Sequence, residues 1–182
     1  MEEIVDKKVV KAANAPLPKL YKLNDPDLSK LKYDRYLSEF GEFNLVCGGG
    51  IVPGSVILVG GDPGIGKSTL LLQVVCNLSK HIKCMYLSGE ESVQQVHLRA
   101  QRMGVAGENL LLGTTTNLEE ILNLVHHNND LKLLIVDSIQ TISSDSFEAA
   151  AGSVSQVRAC SQSLIHLAKS KNIAIILVGH VT

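Results

Sequence analysis

The stretch Ser55-Val56-Ile57-Leu58-Val59-Gly60-Gly61-Asp62-Pro63-Gly64-Ile65-Gly66-Lys67-Ser68-Thr69-Leu70-Leu71-Leu72 decides the fold. A short aliphatic run reads as a strand from Ser55 to Gly60, a glycine-rich turn follows, and the turn opens a helix. In that helix Leu71, Val74, Val75 and Leu78 recur at i, i+3, i+4 and i+7, the spacing of one buried face. The turn itself, Gly61-Asp62-Pro63-Gly64-Ile65-Gly66-Lys67-Ser68-Thr69, fits G-x-x-x-x-G-K-[ST] in the strand-to-helix setting that a phosphate-binding loop requires. Its glycines let backbone N–H groups and the helix N-terminus approach phosphate oxygens closely. Lys67 brings a compact charge for β and γ phosphates, and the Ser68 hydroxyl is placed to ligate Mg²⁺. Thr69 extends the helix start beneath the α phosphate, and Pro63 stiffens the loop through its fixed φ.

Downstream text alternates between strand and helix. Cys84 to Leu87 reads as a strand and Ser92 to Met103 as a helix closed by Gly104. Asn109 to Gly113 is a short strand, and Leu118, Ile121, Leu122 and Val125 mark a helix. Leu131 to Val136 is a strand ending in Asp137. A polar loop from Ser143 to Ser153 precedes a helix carrying Val157, Cys160, Leu164 and Leu167, and Ile173 to Gly179 is the last strand. Near-continuous aliphatic strands joined through helices predict a mostly parallel α/β sheet covered on both faces.

Hydrolysis of a bound triphosphate needs two further elements. Leu133-Leu134-Ile135-Val136-Asp137-Ser138 offers a carboxylate for the metal at the carboxyl end of a buried strand, the Walker B position. Ser88-Gly89-Glu90-Glu91-Ser92 puts two more carboxylates at the same sheet edge. Either could act as general base, with Glu90 favoured, or both could simply complement the dipole of the next helix. His180 ends the last strand, where a polar side chain could reach a γ phosphate, although a histidine there reads first as a surface or capping residue.

Composition sets bounds on this reading. The 182 residues are 45% hydrophobic and 19% charged, enough for one domain that buries roughly 70% of its unfolded surface. No apolar run nears the roughly 18 residues of a membrane span. A net charge of −1 announces no polyanion binder. Cys47, Cys76, Cys84 and Cys160 form no CxxC pair and read as ordinary buried thiols. No secretory leader is apparent, so a cytoplasmic location is expected. Residues 1–30, holding Pro16, Pro18 and Pro26, read as a poorly ordered arm, and residues 31–182 as the folded core. The three Phe and four Tyr lie mostly in the first quarter of the chain, so base stacking within residues 88–146 is not expected. Arg99, Arg102 and Arg158 could touch a nucleic-acid backbone, but each reads first as a solvated helix-face charge.

The strings GGGIVPGSVILVGGDPGIGKSTLLLQ, YLSGEES, LLIVDSIQTI, GSVSQVRAC and ILVGHVT, in this order, resemble the RadA/Sms family of bacterial DNA-repair ATPases within the RecA superfamily. The resemblance covers about Leu31 to Thr182. It implies a RecA-like P-loop NTPase core, with the strand of Ile173 to Gly179 between the Walker A and Walker B strands and His180 on the γ-phosphate side. It also implies ATP and Mg²⁺ as ligands, Glu90 as the water-activating carboxylate, and a homo-oligomeric ring. The ring would bind single-stranded or branched DNA and promote branch migration with the RecA recombinase. Two departures stand out. Family members carry an N-terminal four-cysteine zinc ribbon, and they continue past VGHVT into further strands and a Lon-protease-like domain. Without a CxxC pair, zinc is not expected. Without the later segments, the core is expected to be incomplete at its C-terminus, to be marginally stable, and to bind ATP while hydrolysing it weakly. A nucleotide-gated assembly module without turnover is the alternative. Another RecA-superfamily enzyme, such as a replicative helicase or a clock-type ATPase, is argued against by GGDPGIGKST and VGHVT.

Overall fold

A computed structural model describes residues 19–29 and 34–180, which belong to two separate compact units. Most of the expected N-terminal arm (residues 1–18 and 30) therefore lies outside the described residues. In the first unit, α1 (Pro26–Ser29) is a single turn started by Asp25, whose Oδ1 accepts the Asp27 N–H at 2.9 Å.

The second unit opens with α2 (Gly41–Val46) and then builds five strands: β1 (Val56–Gly61), β2 (Cys84–Ser88), β3 (Leu110–Thr114), β4 (Leu133–Asp137) and β5 (Ala174–His180). Their order in the sheet is β1-β5-β4-β2-β3 and every pairing is parallel. The last strand thus lies between the Walker A and Walker B strands, as the resemblance implies. Four helices connect the strands: α3 (Lys67–Leu78), α4 (Val93–Met103), α5 (Leu118–His127) and α6 (Val154–Lys171).

Alternation along each strand sorts the core into two layers. Tyr86, Leu133, Ile135, Ile176 and Val178 face Leu71 and Val75 of α3 and Val96 of α4. Met85, Leu87, Leu134, Val136, Ile175 and Leu177 face Ile121 of α5 and Leu164 of α6. Strands β2, β4 and most of β5 are buried along their length, which is why their text is continuously aliphatic rather than alternating. β1 and β3 are the two edge strands, and Leu58 on β1 is 66% exposed.

Local signals start and stop the helices. Ser92 and Gln95 form a reciprocal capping box at the head of α4, and Gly104 closes it in the left-handed region at φ 66°. Asn117 caps α5 and Ser153 caps α6, each accepting a backbone N–H three residues on. The polar loop before α6 is gathered by Gln156, whose buried amide donates to the carbonyls of Ser144, Phe147 and Ala149. Of the cysteines, Cys76, Cys84 and Cys160 are buried free thiols and Cys47 is partly exposed. Burial, helped by neighbouring Cys76, pushes the Cys84 thiol up to about 12.

Candidate nucleotide site

Because all five strands run the same way, their carboxyl ends meet at one edge of the sheet, where open α/β sheets place ligands. The register sets Gly61 of β1 beside His180 of β5, and Ser88 of β2 beside Asp137 of β4. The motif strings, far apart in sequence, are brought to this edge by strand pairing alone.

At the β1 end, Asp62 to Gly66 form an exposed loop. Gly64 and Gly66 have φ of 79° and 98°, and a Cβ on either would meet nothing within 4 Å. Left-handed backbone, not crowding, is what demands glycine there. Gly66 is the residue before α3, with no side chain capping the helix, so the first N–H groups of α3 are left without a capping side-chain partner. Lys67 is only 8% exposed, and its ammonium donates to the Gly61 and Asp62 carbonyls at 2.8 Å each. Ser68 and Thr69 follow, partly buried, on the first turn of α3.

A chain of side chains runs from Lys67 across the sheet edge. Lys67 Nζ lies 3.4 Å from His180 Nδ1, and His180 Nε2 lies 3.1 Å from Glu90 Oε1. Ser138 Oγ donates to the same Glu90 oxygen at 2.6 Å. An ammonium can only donate and a carboxylate can only accept, so the imidazole tautomer protonated on Nε2 satisfies both neighbours. The Ser138 hydrogen bond, with smaller contributions from His180 and Lys67, outweighs partial burial and holds the Glu90 carboxyl below its usual range. The Glu90 side chain remains 44% exposed, beside a polar cleft of about 330 Å³ lined by Ser88 to Ser92 and Thr114 to Thr116. Water can reach it.

Glu91 is committed elsewhere. Its Oε2 pairs with Arg99 Nη1 at 2.7 Å, and Arg99 Nη2 lies 3.4 Å from the Tyr86 hydroxyl, which in turn donates to Asp137 Oδ2. This corrects the solvated reading of Arg99, whose side chain is only 13% exposed because it turns inward to Glu91 and Tyr86. Arg102 and Arg158 are exposed on their helices, as expected. Nor do Glu90 and Glu91 serve the first turn of α4, since the helix starts only after Ser92.

Four features of this wall escaped the sequence reading. Ser138 and Tyr86 bind the carboxylates, and Gln140 Nε2 donates to the His180 carbonyl at 3.1 Å. Gly89 is the fourth, because a Cβ there would come within 1.9 Å of Thr141 Oγ1. Only Ser138 and Gln140 had a signal available, their adjacency to Asp137.

A family model described as "AAA domain" matches residues 22–182. The chain belongs to the AAA-domain family. It is 45% identical over 171 residues to the DNA repair protein RadA of Escherichia coli strain K12, covering 94% of this chain and 36% of that protein. With RadA of Listeria monocytogenes it shares 53% identity over 142 residues, 78% of this chain and 31% of the relative. The chain therefore spans about a third of the length of these relatives. A crystal structure of a KaiC-like protein from the archaeon Pyrococcus horikoshii superposes with a TM-score of 0.67 at 17% identity, covering 82% of this chain and 72% of that one, and shares its fold.

An AAA-domain chain implies a nucleotide and a divalent cation, and the residues present fit both. The exposed loop backbone and Lys67 suit a polyphosphate. Among the described residues no group of three or more His, Cys, Asp or Glu side chains could hold a metal by itself. A cation here would depend on Ser68, Asp137, phosphate oxygens and water, which is how Mg²⁺ prefers to bind. Also among the described residues, no helix is long and apolar enough to cross a membrane.

Proposed function

We propose that this chain binds ATP with Mg²⁺ and hydrolyses it, forming the ATPase core of a RadA-type DNA repair protein in the cytoplasm. One observation carries the reading: Lys67, His180, Glu90 and Ser138, drawn from four separate segments, form a single hydrogen-bonded chain across the carboxyl edge of the sheet. The roles follow from the geometry. Residues Gly61 to Thr69 cradle the phosphates, with Lys67 exchanging loop carbonyls for β and γ oxygens. Ser68 and Asp137 hold the cation, which when bound neutralises charge developing on the transferred phosphoryl group. Glu90, kept ionised by Ser138, takes the proton of the attacking water, and Glu91, paired with Arg99, does not. His180 lies between Lys67 and Glu90, where it senses the γ-phosphate side.

The relatives are named DNA repair proteins, which supports coupling of turnover to single-stranded or branched DNA. Branch migration with the RecA recombinase and assembly into a homo-oligomeric ring belong to the same proposal. Arg102 and Arg158, both exposed, are the candidate backbone contacts. Steady-state ATP hydrolysis with and without single-stranded DNA, at two salt concentrations, tests this. Stimulation by DNA that weakens as salt rises is expected. Turnover indifferent to DNA would refute the coupling, and ATP binding without turnover would favour a nucleotide-gated assembly module.

A further inference from the structure

Tyr86 sits at the centre of the buried layer beneath α3 and α4, 1% exposed among aliphatic side chains. Phenylalanine would fill that space equally well. A hydroxyl at such depth needs a partner, and this one donates to Oδ2 of Asp137, itself 4% exposed. The strand register makes this contact possible. Ser88 pairs with Asp137, and Tyr86, two residues earlier on the same face of β2, reaches diagonally to the carboxylate. That face is the one on which α3 packs, and α3 begins with Lys67 and Ser68.

Arg99 completes the arrangement from α4. It approaches the Tyr86 oxygen with Nη2 and pairs with Glu91 through Nη1, while its Nε is buried with no partner among the described residues. Burying a guanidinium this far is costly unless nearby carboxylates repay it. Here Glu91 and, through Tyr86, Asp137 surround it. Asp137 Oδ1 takes no hydrogen bond among the described residues, so one carboxylate oxygen is tied down and the other is left for a cation.

We infer that Tyr86 and Arg99 are positioning residues for the metal-holding carboxylate of Asp137, with the Tyr86 hydroxyl fixing Oδ2 and Arg99 fixing the hydroxyl. The inference rests on the Mg–ATP reading above and adds the support behind Asp137 to it. Partners of this kind behind a metal ligand typically govern metal affinity by roughly 10–100-fold.

The test titrates Mg²⁺ against a fluorescent ATP analogue bound to the full chain, with parallel binding curves in EDTA. For Tyr86→Phe the expected result is unchanged affinity in EDTA and a Mg²⁺ midpoint raised roughly tenfold. Arg99→Ala should raise the midpoint less, and Arg99→Lys should restore part of it. Should Tyr86→Phe fail to fold, the two Arg99 variants carry the same comparison. An unchanged midpoint overturns the inference, and so does equal weakening with and without Mg²⁺, which would mark a purely structural role. If the parent chain binds the analogue no better than Lys67→Ala, the underlying ATP reading fails instead.

Discussion

The two walls of the candidate site are built from different materials. Asp62 to Gly66 take their form from backbone geometry, chiefly the left-handed Gly64 and Gly66, and lie exposed. Across the sheet edge, Tyr86, Asp137 and Ser138 are buried, and side chains from β2, β4, β5 and α4 hold one another in place. The first wall is a local structure that suits any polyphosphate. The second exists only once distant strands have paired, and it carries the groups that would distinguish binding from hydrolysis. Loss of the first should remove binding, and damage to the second should remove turnover or stability.

The largest effect is expected on the loop side. Lys67→Ala removes the charge meant for the β and γ phosphates, and turnover should fall by roughly a hundredfold or more, together with nucleotide affinity measured by fluorescence titration. On the packed side, Gly89→Ala forces a methyl group into Thr141, whose Oγ1 would lie 1.9 Å and Cβ 2.8 Å away. A loss of about 1–3 kcal/mol in urea unfolding is expected, partly recovered by Thr141→Ala. An undiminished unfolding midpoint would show that this wall yields more easily than its contacts suggest.

A subtler change separates support from chemistry. Ser138 is the main reason the Glu90 carboxyl titrates below its usual range. A depressed carboxylate keeps its working, ionised form down to lower pH, and the stability it contributes is present at neutral pH and lost as pH falls through the folded value. In Ser138→Ala the acid limb of the pH–rate profile should therefore move upward, toward that of an ordinary glutamate, with the alkaline side unchanged. A limb that stays in place would contradict the pairing. Smallest of all is Leu58→Lys on the edge strand β1. Leu58 is already 66% exposed, so stability should change by no more than about 0.5 kcal/mol while self-association, followed by light scattering, declines.

What the sequence showed and what it hid follow the same division. The spacing of Gly61 to Thr69 carries its own strand-loop-helix context, so the loop could be read directly. The aliphatic runs placed β2, β4 and β5 to within a residue or two, because strands buried on both faces leave that trace. Arg99 misled for a physical reason. On a helix with mostly exposed neighbours an arginine looks solvated, and only the position of Tyr86 and Glu91 in space turns it inward. Tyr86 lies in the strand read at Cys84 to Leu87 and is buried in the core. Its hydroxyl matters only because strand register brings Asp137 diagonally across from it. The choice between Glu90 and Glu91, open in the sequence, depends on which carboxylate β5 and His180 approach and which one α4 occupies.

That choice between the two carboxylates is also the most directly testable feature of the site. Glu90→Gln and Glu91→Gln should be compared with the parent chain for binding of a fluorescent ATP analogue and for ATP turnover. Glu90→Gln is expected to bind like the parent and to lose turnover by roughly a hundredfold or more, while Glu91→Gln keeps most of its turnover. Full turnover in Glu90→Gln, or its loss in Glu91→Gln alone, would contradict the assignment of the water-activating carboxylate to the chain that joins Lys67, His180 and Ser138.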